Sequence, residues 1–160
     1  MFMLTEKTKK SILKTFCWAL VAACMGAIFY FSSRTASEST LQSNAVIDFL
    51  IRIFGESFIT QTDLIVRKCA HFLEFMGLGL LFALALFVQT EKPQTKLAII
   101  FSSAYAVTDE IHQIFVEGRA CRVYDWAIDT VGAALGALAV LLIFLLIRKI
   151  RGKNKKAIDS

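Results

Sequence analysis

The sequence predicts an all-α membrane protein: one domain over residues 1–160, with four transmembrane helices and a short amphipathic helix in the outer interface. Hydrophobic residues make up 56% of the chain, and the mean hydropathy is +0.60. Charged residues cluster between long apolar segments, and one Pro and eight Gly leave little material for turns. This composition excludes an ordinary soluble globular domain and favours helices that bury their apolar side chains in hydrocarbon.

Four apolar segments approach the roughly 20 residues that a helix needs to cross a bilayer. They run over about residues 12–31, 69–88, 96–115 and 124–147. The first follows a lysine-rich stretch, as a signal-peptide core would, but it is longer than such a core and no small-residue cleavage site stands out after it. We therefore expect it to remain as a membrane helix.

Two connections complete the predicted topology. Between the first two segments, apolar residues in 44–55 recur at helical spacing, with Asn44 as a cap and Gly55 as a stop. This segment is expected to lie in the outer interface and to cover the polar residues described below. The link "VEGRACRV" is short, so segments three and four are predicted to be antiparallel neighbours with Gly118 in the turn. Arg119 and Arg122 are expected at its rim beside Glu117 and Asp125.

The distribution of positive charge predicts the orientation. With the N-terminus in the cytoplasm, twelve of the eighteen Lys and Arg residues fall on the inner side, and the outer side carries six cations against ten acids. Both termini are then cytoplasmic, and residues 148–160 form a basic cytoplasmic tail that suits an anionic inner leaflet. The predicted location is the cell membrane, crossed several times.

This topology places the ionisable residues of the apolar segments in one layer at their outer ends. Arg67, His71 and Glu74 share one face of the second segment, because their spacing is i, i+4 and i+7. Asp109, His112 and Gln113 lie on one face of the third, and Asp125 and Asp129 on one face of the fourth. That last stripe continues through Gly132 and Gly136, a spacing that lets another helix approach closely. Charged groups at membrane depth cost about 2.5 to 3.5 kcal/mol at the helix centre, so they need partners or water.

The four cysteines give a weaker signal. Cys17 and Cys24 are neighbours within one helix and are poor disulfide candidates. Cys69 and Cys121 would pair only if their helix ends touched, and otherwise all four are small apolar side chains.

Three stretches of the sequence carry a resemblance. They are "FYFSSRTASES", "RKCAHFLEFMGLGLL" and "TDEIHQIFVEGRACRVYDWAIDTVGAALG", and in this order they resemble the VanZ-like family of small bacterial membrane proteins. The similarity covers nearly all of residues 29–136. The characteristic family positions correspond here to Ser32, Ser33, Arg67, Lys68, His71, Glu74, Asp109, Glu110, Gln113, Arg119, Asp125, Asp129 and Gly132. The resemblance implies resistance to teicoplanin and related lipoglycopeptides, or a role in cell-envelope homeostasis, and leaves the mechanism open.

Three mechanisms fit the polar layer. In the first, it binds the head group of a lipid-linked cell-wall precursor or the lipid-tailed antibiotic, with the surrounding bilayer as the other partner and no role for nucleic acid. Arginines would hold phosphate, while carboxylates and Gln113 would hold sugar or peptide groups. The predicted ligand-binding residues are Arg67, Lys68, His71, Glu74, Asp109, Glu110, Gln113, Arg119, Asp125 and Asp129.

The second mechanism is a membrane-embedded enzyme acting on an envelope lipid, by general acid-base chemistry or with a divalent metal. Its candidate catalytic residues are His71, Glu74, Asp109, Glu110, Asp125 and Asp129. No known ligand spacing in the sequence indicates a metal, so a metal cofactor is left open. In the third mechanism the charges only neutralise one another and hold the helices together, although buried polar contacts in membranes average only about 0.6 kcal/mol.

Overall fold

The computed structural model describes residues 5–35, 62–119 and 121–158. Within these ranges the chain forms four helices and no strand, so the all-α fold class is confirmed. They are α1 (Glu6–Ser32), α2 (Thr62–Thr90), α3 (Thr95–Gln113) and α4 (Val123–Ile158). Three of the predicted apolar segments lie within a helix, and the other, predicted over 96–115, continues two residues beyond the end of α3 at Gln113. The predicted interfacial helix within 44–55 lies outside the described residues.

The helices extend beyond the predicted apolar segments at several ends. α1 begins at Glu6, where the Thr5 side chain caps it by accepting a hydrogen bond from the Thr8 amide at 3.3 Å. α2 begins at Thr62, so Arg67 and Lys68 lie inside the helix and not before it. α4 continues to Ile158, so most of the predicted basic tail over 148–160 is helical. Hydropathy marks where apolar residues stop, whereas Lys and Arg are good helix formers and continue the helix.

Two tight connections fix the order of α2, α3 and α4. Glu91 has a positive φ of 58° directly after α2, and Pro93 follows, so the helix cannot continue. Between α3 and α4, Gly118 has a φ of 74°, which glycine adopts without steric cost. The Arg122 amide meets the Glu110 carboxylate at 2.8 Å, and Thr130, further along α4, meets Ser103, earlier in α3. The predicted antiparallel pairing of α3 and α4 is confirmed.

Helix α2 packs against all three other helices, and its contact with α4 is the most extensive. Glycine makes this contact close. A Cβ added at Gly132 would lie 2.5 Å from the Phe72 carbonyl oxygen, and one at Gly136 would lie 2.9 Å from the Leu80 amide nitrogen. The close backbone approach predicted from the G-x-x-x-G spacing is therefore confirmed.

Three helical stretches are long and apolar enough to cross a membrane: Glu6–Ser32, Ile65–Thr90 and Val123–Gly152. Large apolar side chains on these helices point outward, among them Phe16 on α1 and Leu142 on α4. Helix α3 is shorter, at 19 residues, and includes Lys96, Asp109 and Glu110. It does not reach the apolar composition of the other three.

Candidate functional site

Polar side chains meet at one end of the helix bundle, where α1 and α3 end and α2 and α4 begin. We call this the polar end. It contains a cavity of about 120 Å³, room for about four water molecules. The cavity is lined by Arg67, Lys68, His71, Glu110, Gln113, Gly118, Arg119, Arg122, Asp125, Ile128 and Asp129. The tight link between α3 and α4 provides three of these residues, so it closes one side of the cavity.

A buried carboxylate supports the cavity wall from behind. Asp109 is 2% exposed, and its Oδ2 accepts hydrogen bonds from Ser32 Oγ at 2.8 Å and from Gln113 Nε2 at 2.9 Å. These bonds join the end of α1 to the last turn of α3 and orient Gln113 at the cavity. The second oxygen, Oδ1, is buried and has no hydrogen-bond partner among the described residues. A buried acceptor of this kind costs about 1–3 kcal/mol when left unsatisfied.

Several charged groups of the cavity are paired within the protein. Lys68 forms a salt bridge with Asp125, and its ammonium lies 3.8 Å from the centre of the Tyr124 ring. Glu110 accepts the hydrogen bond from the Arg122 amide. These pairs join α2 to the first turn of α4 and α3 to the link.

Two cavity residues, one with a guanidinium and one with a carboxyl group, are not paired. Arg67 lines the cavity and makes no hydrogen bond or ion pair with any part of the chain that the structure describes. Asp129 is 2% exposed and likewise accepts no hydrogen bond within the described ranges. Both groups therefore present unused hydrogen-bonding capacity to the cavity.

Arg119 lies in a different place from the one predicted. The sequence suggested the rim beside Glu117 and Asp125, but the side chain is half-buried and reaches the end of α1. Its Nε donates to the Arg34 carbonyl at 2.9 Å, one terminal nitrogen donates to the Phe31 carbonyl at 3.2 Å, and the other lies 3.4 Å from His71 Nε2. Burial lowers the pKa of the Arg119 guanidinium, and the nearby positive charge of Arg67 lowers it further. The fork geometry of arginine lets one side chain bridge α1 and α2.

Eight of the ten predicted ligand-binding residues line the cavity, and Glu74 and Asp109 do not. Glu74 lies beyond His71, with its Oε2 3.9 Å from His71 Nδ1. His112 faces α1 instead, where it stacks on Phe29 at 4.3 Å and meets Ser33 Oγ at 3.0 Å. Among the described residues, no three His, Cys, Asp or Glu side chains converge as metal ligands do. All four cysteines are free thiols.

Two features of this site were missed by sequence reasoning. Ile128 lines the cavity, and the Tyr124 ring lies against Lys68. Tyr124 directly precedes Asp125 at the start of the predicted fourth helix. This position could have indicated an aromatic ring beside the ion pair of Lys68 and Asp125. Ile128 gave none, because it is one of many apolar residues in its segment.

A comparison with known families decides the classification. A family model described as VanZ/LLP1 matches residues 16–146, most of the chain. The chain belongs to the VanZ/LLP1 family. This confirms the family assignment made from the three sequence stretches, and with the three apolar helices it makes the chain a VanZ-like membrane protein. No curated protein and no solved structure matches it significantly.

In this VanZ-like protein the cavity combines four cations, three carboxylates, a neutral amide and an imidazole. Such a set suits a ligand with both anionic and hydroxyl or amide groups. Arginine and lysine side chains bind phosphate oxygens, whereas carboxylates accept hydrogen bonds from sugar or peptide groups. The small volume limits the enclosed part of a ligand to a group of a few heavy atoms.

Proposed function

We propose that this protein crosses the membrane four times, with both termini in the cytoplasm, and binds a lipid-linked or lipid-tailed ligand at an outer-leaflet site. The cavity would hold a phosphate-bearing head group. Such binding would contribute to teicoplanin-type lipoglycopeptide resistance or to cell-envelope homeostasis, as the family resemblance implies.

The proposed topology rests on helix length and charge. Helix α3 has 19 residues, about 28 Å at 1.5 Å per residue, close to the roughly 30 Å of a hydrocarbon core. Its Lys96 lies at the opposite end of the helix from Asp109 and Glu110. The excess of Lys and Arg at the ends of the helices remote from the polar end supports a cytoplasmic position for them. The polar end would then face outward.

The unpaired Arg67 carries the binding proposal. A cation in a half-buried site is costly without a counter-charge, and two of the three cavity carboxylates already have partners: Asp125 with Lys68, and Glu110 with the Arg122 amide. The third, Asp129, which the structure also describes, forms no ion pair with Arg67. An anionic ligand would supply the missing charge and accept the guanidinium hydrogen bonds. The cavity also holds Arg119, whose remaining donors point toward His71.

The decisive test removes this charge while keeping the shape of the side chain. We expect Arg67→Gln to lower the amount of phosphate-bearing lipid that co-purifies with the protein about tenfold, the effect of about 1.4 kcal/mol of charge-assisted hydrogen bonding. Native mass spectrometry of the purified protein measures this directly. Teicoplanin susceptibility of cells that depend on the protein should rise in parallel.

Arg148→Gln is the matched control, because it makes the same change on an exposed side chain of α4 remote from the cavity. It should leave both the bound lipid and the protection unchanged. Equal lipid in the wild type and Arg67→Gln would contradict the proposal. A loss of folded protein in proportion to the loss of protection would instead favour a purely structural role for the layer.

Asp129 favours a second candidate, an enzyme acting on the same lipid. A buried carboxylate without a hydrogen-bond partner, in one cavity with His71, is placed as a general base would be. Asp129→Asn should then keep lipid binding but abolish turnover of the lipid, followed by mass spectrometry of incubated membranes. Unchanged lipid composition with wild-type protein would remove this candidate.

A further inference from the structure

An apolar groove of about 280 Å³ lies between α3 and α4, next to the polar cavity. Its walls are Val107 and Ile111 from α3, and Val123 and Trp126 from α4, and Cys121 of the link also lines it. Val107 is 43% and Ile111 50% exposed, so the groove opens to the outside of the bundle. In a membrane protein, that side faces lipid chains.

The groove and the polar cavity share a wall. Glu110 and Arg122 line both, and the hydrogen bond from the Arg122 amide to the Glu110 carboxylate holds this wall in place. On one side of it lies Arg67, without a partner in the described ranges, and on the other lie only apolar side chains and the Cys121 thiol. The polar cavity and the apolar groove are therefore separated only by the side chains of Glu110 and Arg122.

We infer that the groove holds the first methylenes of a hydrocarbon chain whose phosphate lies in the polar cavity, so that the ligand is an anionic lipid entering sideways from the bilayer. This inference rests on the proposed function and adds the substrate class and the route. A lipid has a polar head group next to a chain that remains in the hydrocarbon. These two parts match the polar cavity and the apolar groove that shares a wall with it. A soluble anion would use the polar cavity alone.

Trp126 is held as a rigid wall of the groove. Its Nε1 donates to Ser103 Oγ at 3.1 Å, and Ser103 Oγ in turn meets Thr130 Oγ1 at 3.0 Å. The only other tryptophan in the chain is Trp18 on α1, against Phe82. Trp18→Phe therefore gives a protein that reports from the groove, and Trp126→Phe gives one that reports from elsewhere on the same bundle.

The experiment measures quenching of tryptophan fluorescence in phosphatidylcholine nanodiscs that contain either brominated phosphatidate or brominated phosphatidylcholine. With Trp18→Phe, we expect half-maximal quenching of Trp126 at an about tenfold lower fraction of brominated phosphatidate than of brominated phosphatidylcholine. With Trp126→Phe, the two lipids should quench Trp18 equally. This second protein controls for general contact with the bilayer.

A groove-filling variant tests the route. In the Trp18→Phe background, Val107→Phe should abolish the preference for phosphatidate. Val131→Phe makes the same change at an exposed site of α4 that does not line the groove, and should keep it. If Val107→Phe fails to fold, Ile111→Phe on the next turn provides the same test.

Native mass spectrometry of phosphatidate retention separates the two proposals. Arg67-dependent retention of phosphatidate with equal quenching of Trp126 by both brominated lipids would overturn the groove and leave the proposed function standing. Loss of both signals would overturn the proposed function itself. Displacement of phosphatidate by inorganic phosphate, with no preferential quenching at Trp126, would show a site for the free anion and would also overturn the groove.

Discussion

The close contact between α2 and α4 makes Gly132→Ala a sensitive test of the fold. The added Cβ would lie 2.5 Å from the Phe72 carbonyl oxygen, about 0.9 Å short of the 3.4 Å at which ordinary contact begins. Neither atom is at the end of a flexible side chain, so the two helix backbones must separate. Overpacking of this kind costs about 1–3 kcal/mol, and alanine returns about 1 kcal/mol through its helix propensity. We expect a net loss of about 0–2 kcal/mol in the free energy of unfolding.

Gly77→Ala is the matched control, because it makes the same substitution in α2 at a site where a new Cβ meets nothing within 4 Å. It should be neutral or stabilise the protein by up to about 1 kcal/mol. Both variants gain the same helix propensity, so their stabilities should differ by the overpacking cost, about 1–3 kcal/mol. Reversible unfolding in mixed micelles of mild detergent and dodecyl sulfate, followed by helical circular dichroism, measures the difference.

The same substitution has a consequence for the site. Asp129 precedes Gly132 by three residues on α4, so separation of the helices there moves Asp129 away from the α2 wall of the cavity. Gly132→Ala should weaken lipid retention as well as stability, while Gly77→Ala should change neither. Equal stability of the two variants would refute the backbone contact, and with it the placement of the cavity between α2 and α4.

Three further substitutions test the polar end and its opposite end. Ser32→Ala removes one of two hydrogen bonds to buried Asp109 and should lower the free energy of unfolding by about 1–3 kcal/mol. Ser33→Ala, which removes solvent-exposed hydrogen bonds to Phe29 and His112, should lower it by no more than about 1 kcal/mol. Arg119→Lys replaces the fork that bonds two α1 carbonyls, so amide hydrogen exchange in the last turn of α1 should become about tenfold faster; unchanged exchange would contradict the bridge. At the opposite end, the hydrogen bond from Lys10 lowers the pKa of Glu91 below its ordinary 4.5. The stability from this exposed pair is present above the ordinary pKa and is lost as the pH falls through the lowered pKa. Glu91→Gln should therefore make the free energy of unfolding less dependent on pH, and only in the acid range.

The sequence was sufficient for the features that depend on helical period. The spacing of Arg67 and His71, and of Asp125 and Asp129, placed each pair on one helix face, and both pairs line the cavity. Gly132 and Gly136 predicted the close approach in the same way. These inferences succeed because the turn of an α-helix is fixed by its backbone geometry.

The sequence was insufficient where contacts depend on the rotation of one helix against another or on a loop. Arg119 lies in a link, so no period indicated that its side chain reaches the carbonyls of Phe31 and Arg34. The apolar groove depends on how α3 and α4 are rotated about their axes, and its wall residues are unremarkable as a sequence. The bond from Ser32 to Asp109 joins residues 77 positions apart, and only the packed bundle brings them together.

The pairing pattern argues against a layer that serves only to hold the helices. If the charged residues served only to neutralise one another, each buried one should have a partner. An unpaired buried charge destabilises a protein by more than a buried ion pair stabilises it. Here Lys68, Glu110 and the Oδ2 atom of Asp109 have partners, and these contacts already join α2 to α4, α3 to the link, and α1 to α3. Within the part of the chain that the structure describes, Arg67 and Asp129 have none, and both face the same cavity. An unpaired guanidinium and an unpaired carboxyl group in one cavity leave hydrogen-bonding capacity that a purely structural layer would not need, and the proposed head group, with an anionic oxygen and a hydrogen-bond donor, would use both.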